Sequence, residues 1–135
     1  NPIYTLGAND IINGSVSLVL TADNSCAVSD TMVLTITPAT TANAGPDATI
    51  CAGDTYALNG STNNSQVFIW MNPGGDGTFS NVSLINPVYT PGINDIANGT
   101  VTLMLVSGAP PCSSASDILI LTINPLPILP PISHN

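Results

Sequence analysis

The 135-residue chain has no lysine, no arginine and no glutamate. Its eight charged side chains are all aspartates, namely Asp10, Asp23, Asp30, Asp47, Asp54, Asp76, Asp95 and Asp117, and the formal net charge is −8. Soluble domains are on average about a quarter charged, with both signs mixed. With no cations the chain cannot neutralise phosphates, which excludes nucleic acid as a partner. Anionic membrane surfaces are excluded on the same ground. No apolar run approaches the roughly 18 residues of a spanning helix, so membrane insertion is not expected. No leader-type segment opens at Asn1, and the expectation is an internal or mature piece of a longer protein. The missing cations read as drift in a Ser/Thr/Asn-rich repeat. The alternatives are selection against trypsin-like cleavage and selection for repulsion between neighbours.

Catalytic equipment is equally sparse. The single histidine, His134, sits in the proline-rich tail "PLPILPPISHN". A Ser/His/Asp site would need that ring in a pocket, and a carboxylate pair would need two neighbouring aspartates. The aspartates occur singly in loops, so no catalytic residues and no enzyme are expected. Aromatics are only 4% of the chain: Tyr4, Tyr56, Phe68, Trp70, Phe79 and Tyr89. No stripe of exposed aromatics suited to a sugar face is legible.

What the chain does contain is repetition, which has to be read before anything else. "NPIYTLGANDIINGSVSLVL" at Asn1 returns as "NPVYTPGINDIANGTVTLML" at Asn86, with 13 of 20 positions identical. "CAVSDTMVLTITP" at Cys26 returns as "CSSASDILILTINP" at Cys112 with two extra residues along the way. The offset of 85 residues, Asn1 to Asn86, suits one small domain per repeat. Residues 1–38 then form the C-terminal half of one repeat and residues 39–125 a complete one. Residues 126–135 form a proline-rich linker or the start of the next repeat.

Alternation with a period of two dominates both copies. Val16, Leu18 and Leu20 share one face, as do Met32, Leu34 and Ile36. In the second copy Val101, Leu103 and Leu105 share a face, as do Leu119, Leu121 and Ile123. "QVFIWM" is apolar on both faces and reads as a central strand, with Trp70 in the core. "DATIC" and "TYALNG" add two strands, with Ile50, Tyr56 and Leu58 inward. No stretch shows helical spacing with caps. About seven short strands with a tryptophan on a central one predict an all-β, immunoglobulin-like antiparallel sandwich. At 44% apolar and 6% charged the chain is not expected to be disordered.

Cys26 and Cys112 occupy the same repeat position, and Cys51 reads as the other half of the pair. The expectation is a Cys51–Cys112 disulfide, with Cys26 bonded to a cysteine outside the chain and free thiols as the alternative. A loop of ~60 residues would contribute about 4 kcal/mol in the chain-entropy model. Such a bond would imply an oxidising compartment. No C-x-x-C or Cys/His cluster points to zinc.

"ANAGPDATICAGDTYALNGS", then the tryptophan followed by "GGDGTFS", then "NPVYTPG" and "NGTVTLMLVS", resembles a PKD-like, immunoglobulin-like repeat. Such repeats occur in very large surface proteins of Bacteroidetes, among them gliding-motility adhesins and other type IX secretion cargo. The resemblance covers residues 42–125, and residues 1–38 match its second half. It implies an extracellular, cell-surface tandem array of PKD-like sandwiches with Trp70 as the core residue. The chain departs from the common "FGDG" loop of PKD domains, reading "NPGGDG" instead, which removes the basis for carrying over any role of that loop.

Several residues invite a site. Asp76 in "PGGDGTF" is a weak calcium candidate and the one cofactor the sequence suggests, since calcium wants six to eight oxygens. The alternative is a tight Asp-Gly turn. Asp47 and Asp54 lie at the two ends of one strand, roughly 20 Å apart, and cannot share an ion. Asp10 and Asp95 recur in "NDI-x-NG" and are expected to cap a turn before the next strand. Asp30 and Asp117 recur just before the last strand and read as edge or turn residues. Asn13, Asn59, Asn63, Asn81 and Asn98 match N-x-[ST]. "Asp30-Thr31-Met32" resembles the Bacteroidetes O-glycosylation acceptor, with Thr31 modified. Tyr89 and its equivalent Tyr4 are expected to pack the turn before the alternating strand as core residues.

The expected function is a non-catalytic spacer repeat of an extracellular stalk, filament or adhesin, partnered by neighbouring repeats or other copies in a fibre. The alternatives are an adhesive module with a glycan or protein ligand, and an accessory domain of a secreted enzyme. Residues 1–38 alone would expose an apolar face and open edges. They are expected to be completed by preceding chain or by another copy.

Overall fold

The computed structural model describes residues 1–23, 28–108, 110 and 112–128. Cys26, His134 and the end of the tail lie outside the described residues. The chain divides into two compact units, Asn1–Ala39 and Thr40–Asn135.

The first unit holds α1 (Ala8–Asn13), β1 (Ser15–Ala22) and β2 (Val28–Thr35). The two strands form an antiparallel hairpin in the register Ser15↔Thr35 to Ala22↔Val28.

The second unit holds β3 (Thr41–Asn43), β4 (Ala48–Cys51), β5 (Tyr56–Ala57), β6 (Ser61–Asn63), β7 (Phe68–Met71), β8 (Thr78–Phe79), β9 (Val88–Thr90), α2 (Ile93–Asn98), β10 (Thr100–Ser107) and β11 (Ala115–Asn124). It is an all-β, immunoglobulin-like sandwich. One sheet has the order β4-β11-β10-β7; the others are β5-β9-β8 and the short pair β3-β6. β10 and β11 form the long hairpin, Thr100↔Thr122 to Ser107↔Ala115. Their alternation puts Val101, Leu103, Leu105, Leu119, Leu121 and Ile123 into the core, with Trp70, Tyr89, Leu58 and Ala44. Each fully buried leucine contributes about 1.5–3 kcal/mol, so this seam carries much of the unit's stability.

Two expectations about strands change. β7 is the edge of its sheet, not a central strand. Trp70 points inward, but Val67, Ile69 and Met71 on the other face are exposed. The chain is also not free of helix. α1 and α2 each follow a glycine in extended backbone and end on a glycine in the left-handed region, Gly14 at φ 70° and Gly99 at φ 72°. Only glycine adopts that φ without a Cβ penalty, which fixes both helix ends. At six residues each, these helices are too short to display an apolar stripe.

The Cys51–Cys112 disulfide does not form. β4 runs parallel to β11 with Cys51 beside Asn124, whereas Cys112 precedes the first residue of β11, Ala115. The two cysteines therefore lie at opposite ends of a ten-residue strand, separated by about 30 Å at ~3.3 Å per residue. A disulfide needs Cα atoms within about 7 Å. The Cys51 thiol is free and exposed, and Cys112 is half-buried. Cys51→Ser is accordingly expected to change unfolding stability by less than ~0.5 kcal/mol, where a staple would have cost about 4 kcal/mol. Urea denaturation under non-reducing conditions measures the difference.

Candidate functional site: the Asp95 node

Asp95 is the only buried charged side chain among the described residues. It is the third residue of α2 and sits where the β7–β8 loop, β9 and α2 meet. Tyr89 donates its phenol hydrogen to Asp95 Oδ2 at 2.7 Å. The same oxygen accepts the amides of Gly92 at 3.0 Å and Gly77 at 3.0 Å, and Oδ1 accepts that of Asp76 at 3.2 Å. Four donors on one carboxylate supply what burial removed.

Asp76 returns the contact. Its Oδ1 accepts the Asp95 amide at 3.1 Å, and its Oδ2 accepts the Asn94 amide at 3.1 Å and the Asn94 side-chain amide at 3.0 Å. Two of the unpaired amides in the first turn of α2 are thereby capped from a distant loop. Asn72 donates to Gly77 O at 2.9 Å and to the Tyr89 oxygen at 3.2 Å, closing the network. Phe79 lies against the Tyr89 ring with centroids 4.9 Å apart. The tight turn expected at Asp76-Gly77 falls earlier, where the Gly75 amide bonds Asn72 O.

The electrostatics follow from the geometry. Burial alone would raise the Asp95 pKa, but hydrogen bonds from Gly92, Tyr89, Asp76 and Gly77 outweigh it and hold the carboxyl below its usual range. Tyr89 is pushed up to about 12, first by burial and then by its bond to Asp95. A saturated anion beside a phenol that keeps its proton offers neither a general base nor a nucleophile at neutral pH. The adjacent cleft, lined by Pro73, Gly75, Asp95, Asn98 and Thr102, is about 160 Å³. That is below the roughly 300 Å³ of ordinary small-molecule sites.

The calcium candidate thus has both oxygens engaged in capping α2. No group of three or more metal-ligating side chains occurs among the described residues. Asp47 accepts the Ile120 amide at 2.8 Å and Asp117 accepts the Ala44 amide at 2.8 Å, so both join elements distant in sequence. Asp54 is exposed in the turn after β4, its amide bonded to Cys51 O. Asp10 repeats part of the node, accepting Tyr4 OH at 2.7 Å and the Gly7 amide at 2.8 Å. Trp70 and Tyr89 are core residues as expected. Tyr4 is not, being 46% exposed, because nothing equivalent to the β7–β8 loop covers it among the described residues. Thr31 and the five N-x-[ST] asparagines are all exposed.

No protein-family model and no curated protein matches the chain. Among solved structures it is similar to a nucleoside hydrolase-related hypothetical protein from Saccharophagus degradans that is associated with carbohydrate metabolism. That match has a TM-score of 0.50 at 13% identity, over 67% of this chain and 26% of the other. Mouse clustered PcdhgC3 EC1-3 matches with a TM-score of 0.44 at 12% identity, over 84% of this chain and 44% of the other. The chain therefore spans about a quarter of the first and under half of the second. The first likeness concerns the fold alone. Fold and node together define a class, an immunoglobulin-like sandwich whose buried carboxylate ties a loop to a short helix. No helix is long and apolar enough to cross a membrane among the described residues.

Proposed function

We propose that the chain is a non-catalytic spacer repeat of an extracellular stalk, filament or adhesin on a cell surface. The observation that carries this reading is the reuse of one structural device. Gly7, Asp10 and Tyr4 in the first unit are arranged as Gly92, Asp95 and Tyr89 are in the second, each set at the start of the same helix and ahead of the same hairpin. The recurring aspartates are consumed in holding backbone, which suits a load-bearing module better than a reacting one. The Ser/Thr/Asn-rich surface and the resemblance to large Bacteroidetes surface repeats support the extracellular setting. They also favour gliding-motility or type IX secretion contexts and neighbouring repeats as partners. The test is electron microscopy of native source material with an antibody against this segment. Label at regular intervals along thin fibres is the expected result. Label only at fibre tips, or on dispersed particles, would instead favour the adhesive module or the enzyme-accessory domain.

A further inference from the structure

The two units present the same face in opposite states. Tyr89 and Leu105 are 0% exposed, while their equivalents Tyr4 and Leu20 are 46% and 75% exposed. Met32 and Leu34 are likewise exposed where Leu119 and Leu121 are buried. Pro2, Ile3, Tyr4, Leu18, Leu20 and Met32 line an open apolar groove of about 520 Å³ in the first unit.

The second unit shows what completes this hairpin, strands added along both of its edges. β4 lies parallel to β11 along Leu121↔Ala48 to Asn124↔Cys51, Trp70 stands opposite Leu105, and Phe79 opposite Tyr89. The polar contacts come from the same segment: the Ala44 amide to Asp117, the Asp47 carboxylate to the Ile120 amide, and the Asp76 and Gly77 amides to Asp95. In the first unit the matching acceptors hold only local donors among the described residues. Asp30 takes the Thr31 amide, and Asp10 takes Tyr4 and Gly7. The outer edge of β2 carries no strand among the described residues.

We propose that the first unit is a socket for the front half of a repeat of this type, a segment with the chemistry of residues 41–85. Its "DATIC" strand adds parallel to β2 opposite Leu34–Ile36, and its tryptophan seats on Leu20. Its backbone amides fill Asp10 and Asp30, and its Asp47 carboxylate takes the Val33 amide. Apolar area drives the docking and four polar contacts fix the register, since a one-residue slip would turn every side chain to the wrong face. The inference stands on the two units alone and not on the spacer reading.

The direct test places residues 41–85 immediately before Asn1 of the full chain, reproducing the native Ile85–Asn86 junction, and follows amide hydrogen exchange. Exchange in residues 15–22 and 28–35 should slow by at least about 100-fold, to the level of β10 and β11. Unchanged exchange there, with β10 and β11 still protected, would overturn the proposal. In a second arm, synthetic 41–85 polypeptide is added to the isolated full chain while the methyl signals of Leu18, Leu20 and Met32 are followed. Saturable shifts at these methyls are expected, weakened about 100-fold when the added polypeptide carries Trp70→Ala. Shifts confined to residues 40–125 would mean strand exchange with the second unit. Burial of the groove that grows with chain concentration alone, with residues 41–85 of every copy still held in the second unit, would mean another surface of a second copy covers it. Either result would also overturn the proposal.

Discussion

Replacing Asp95 with asparagine should destabilise the second unit by about 3 kcal/mol, because three amides and a phenol lose an anionic acceptor at a buried site. An asparagine can present one oxygen, and its NH2 group then faces donors it cannot satisfy. Domain stabilities of about 5–15 kcal/mol make this a large fraction of the whole. Asp10→Asn makes the same chemical change in the open first unit and should give no measurable shift. The pH dependence has two limbs. Asp95 has a folded pKa below its unfolded value of about 3.9. Its contribution is complete above that value and is lost as the pH falls through the folded one. Tyr89 has a folded pKa raised to about 12, above an unfolded value near ~10. Its contribution is complete below about 10 and is lost as the pH rises through about 12. Urea midpoints across pH 2–12 should fall at both ends, and Asp95→Asn should flatten the acid limb. An unchanged acid limb would assign acid sensitivity to other carboxylates.

The node shows where sequence reading stops. "NDI-x-NG" announced a local cap, and Asp95 does cap Gly92 three residues earlier. Nothing in the local string says that the other oxygen belongs to a loop 19 residues upstream. The periodic strands were legible because a period of two survives any tertiary context that buries one face. Val101, Leu103 and Leu105 point inward as their alternation requires. The helices were missed because six residues give periodicity too little length; the usable signal was the glycine frame, Gly92 and Gly99, around an acidic third position. The cysteines misled because repeat phase reveals equivalence and not proximity. Cys51 follows a parallel strand to the far end of β11, and only the topology discloses that. Tyr4 and Tyr89 make the same point. Their surrounding strings are nearly identical, yet one is covered and the other open.

Trp70→Ala should be the most damaging single change, at about 3–5 kcal/mol. The indole is 1% exposed. It donates Nε1–H to the Ile85 carbonyl at 3.1 Å and lies 6.3 Å, centroid to centroid, from Phe79. It also holds the edge strand β7 to the core, so its loss removes packing from the β4-β11-β10-β7 sheet and from Phe79 in the β5-β9-β8 sheet. Gly60 provides an internal check. A Cβ there would stand 2.7 Å from the indole Cζ2 and 3.1 Å from Leu105 Cδ2. Gly60→Ala should therefore cost about 1–3 kcal/mol by overpacking alone, without strain from a left-handed φ. In the Trp70→Ala background that clash disappears and the methyl enters vacated space. The second substitution should then cost close to nothing, a coupling of about 1–3 kcal/mol between the two sites. Urea unfolding of the wild type, both single variants and the double variant measures it. Additive losses would mean that Gly60 is constrained by the Ile85 carbonyl and Leu105 Cδ2, each at 3.1 Å, and that the ring is not what holds the residue to glycine.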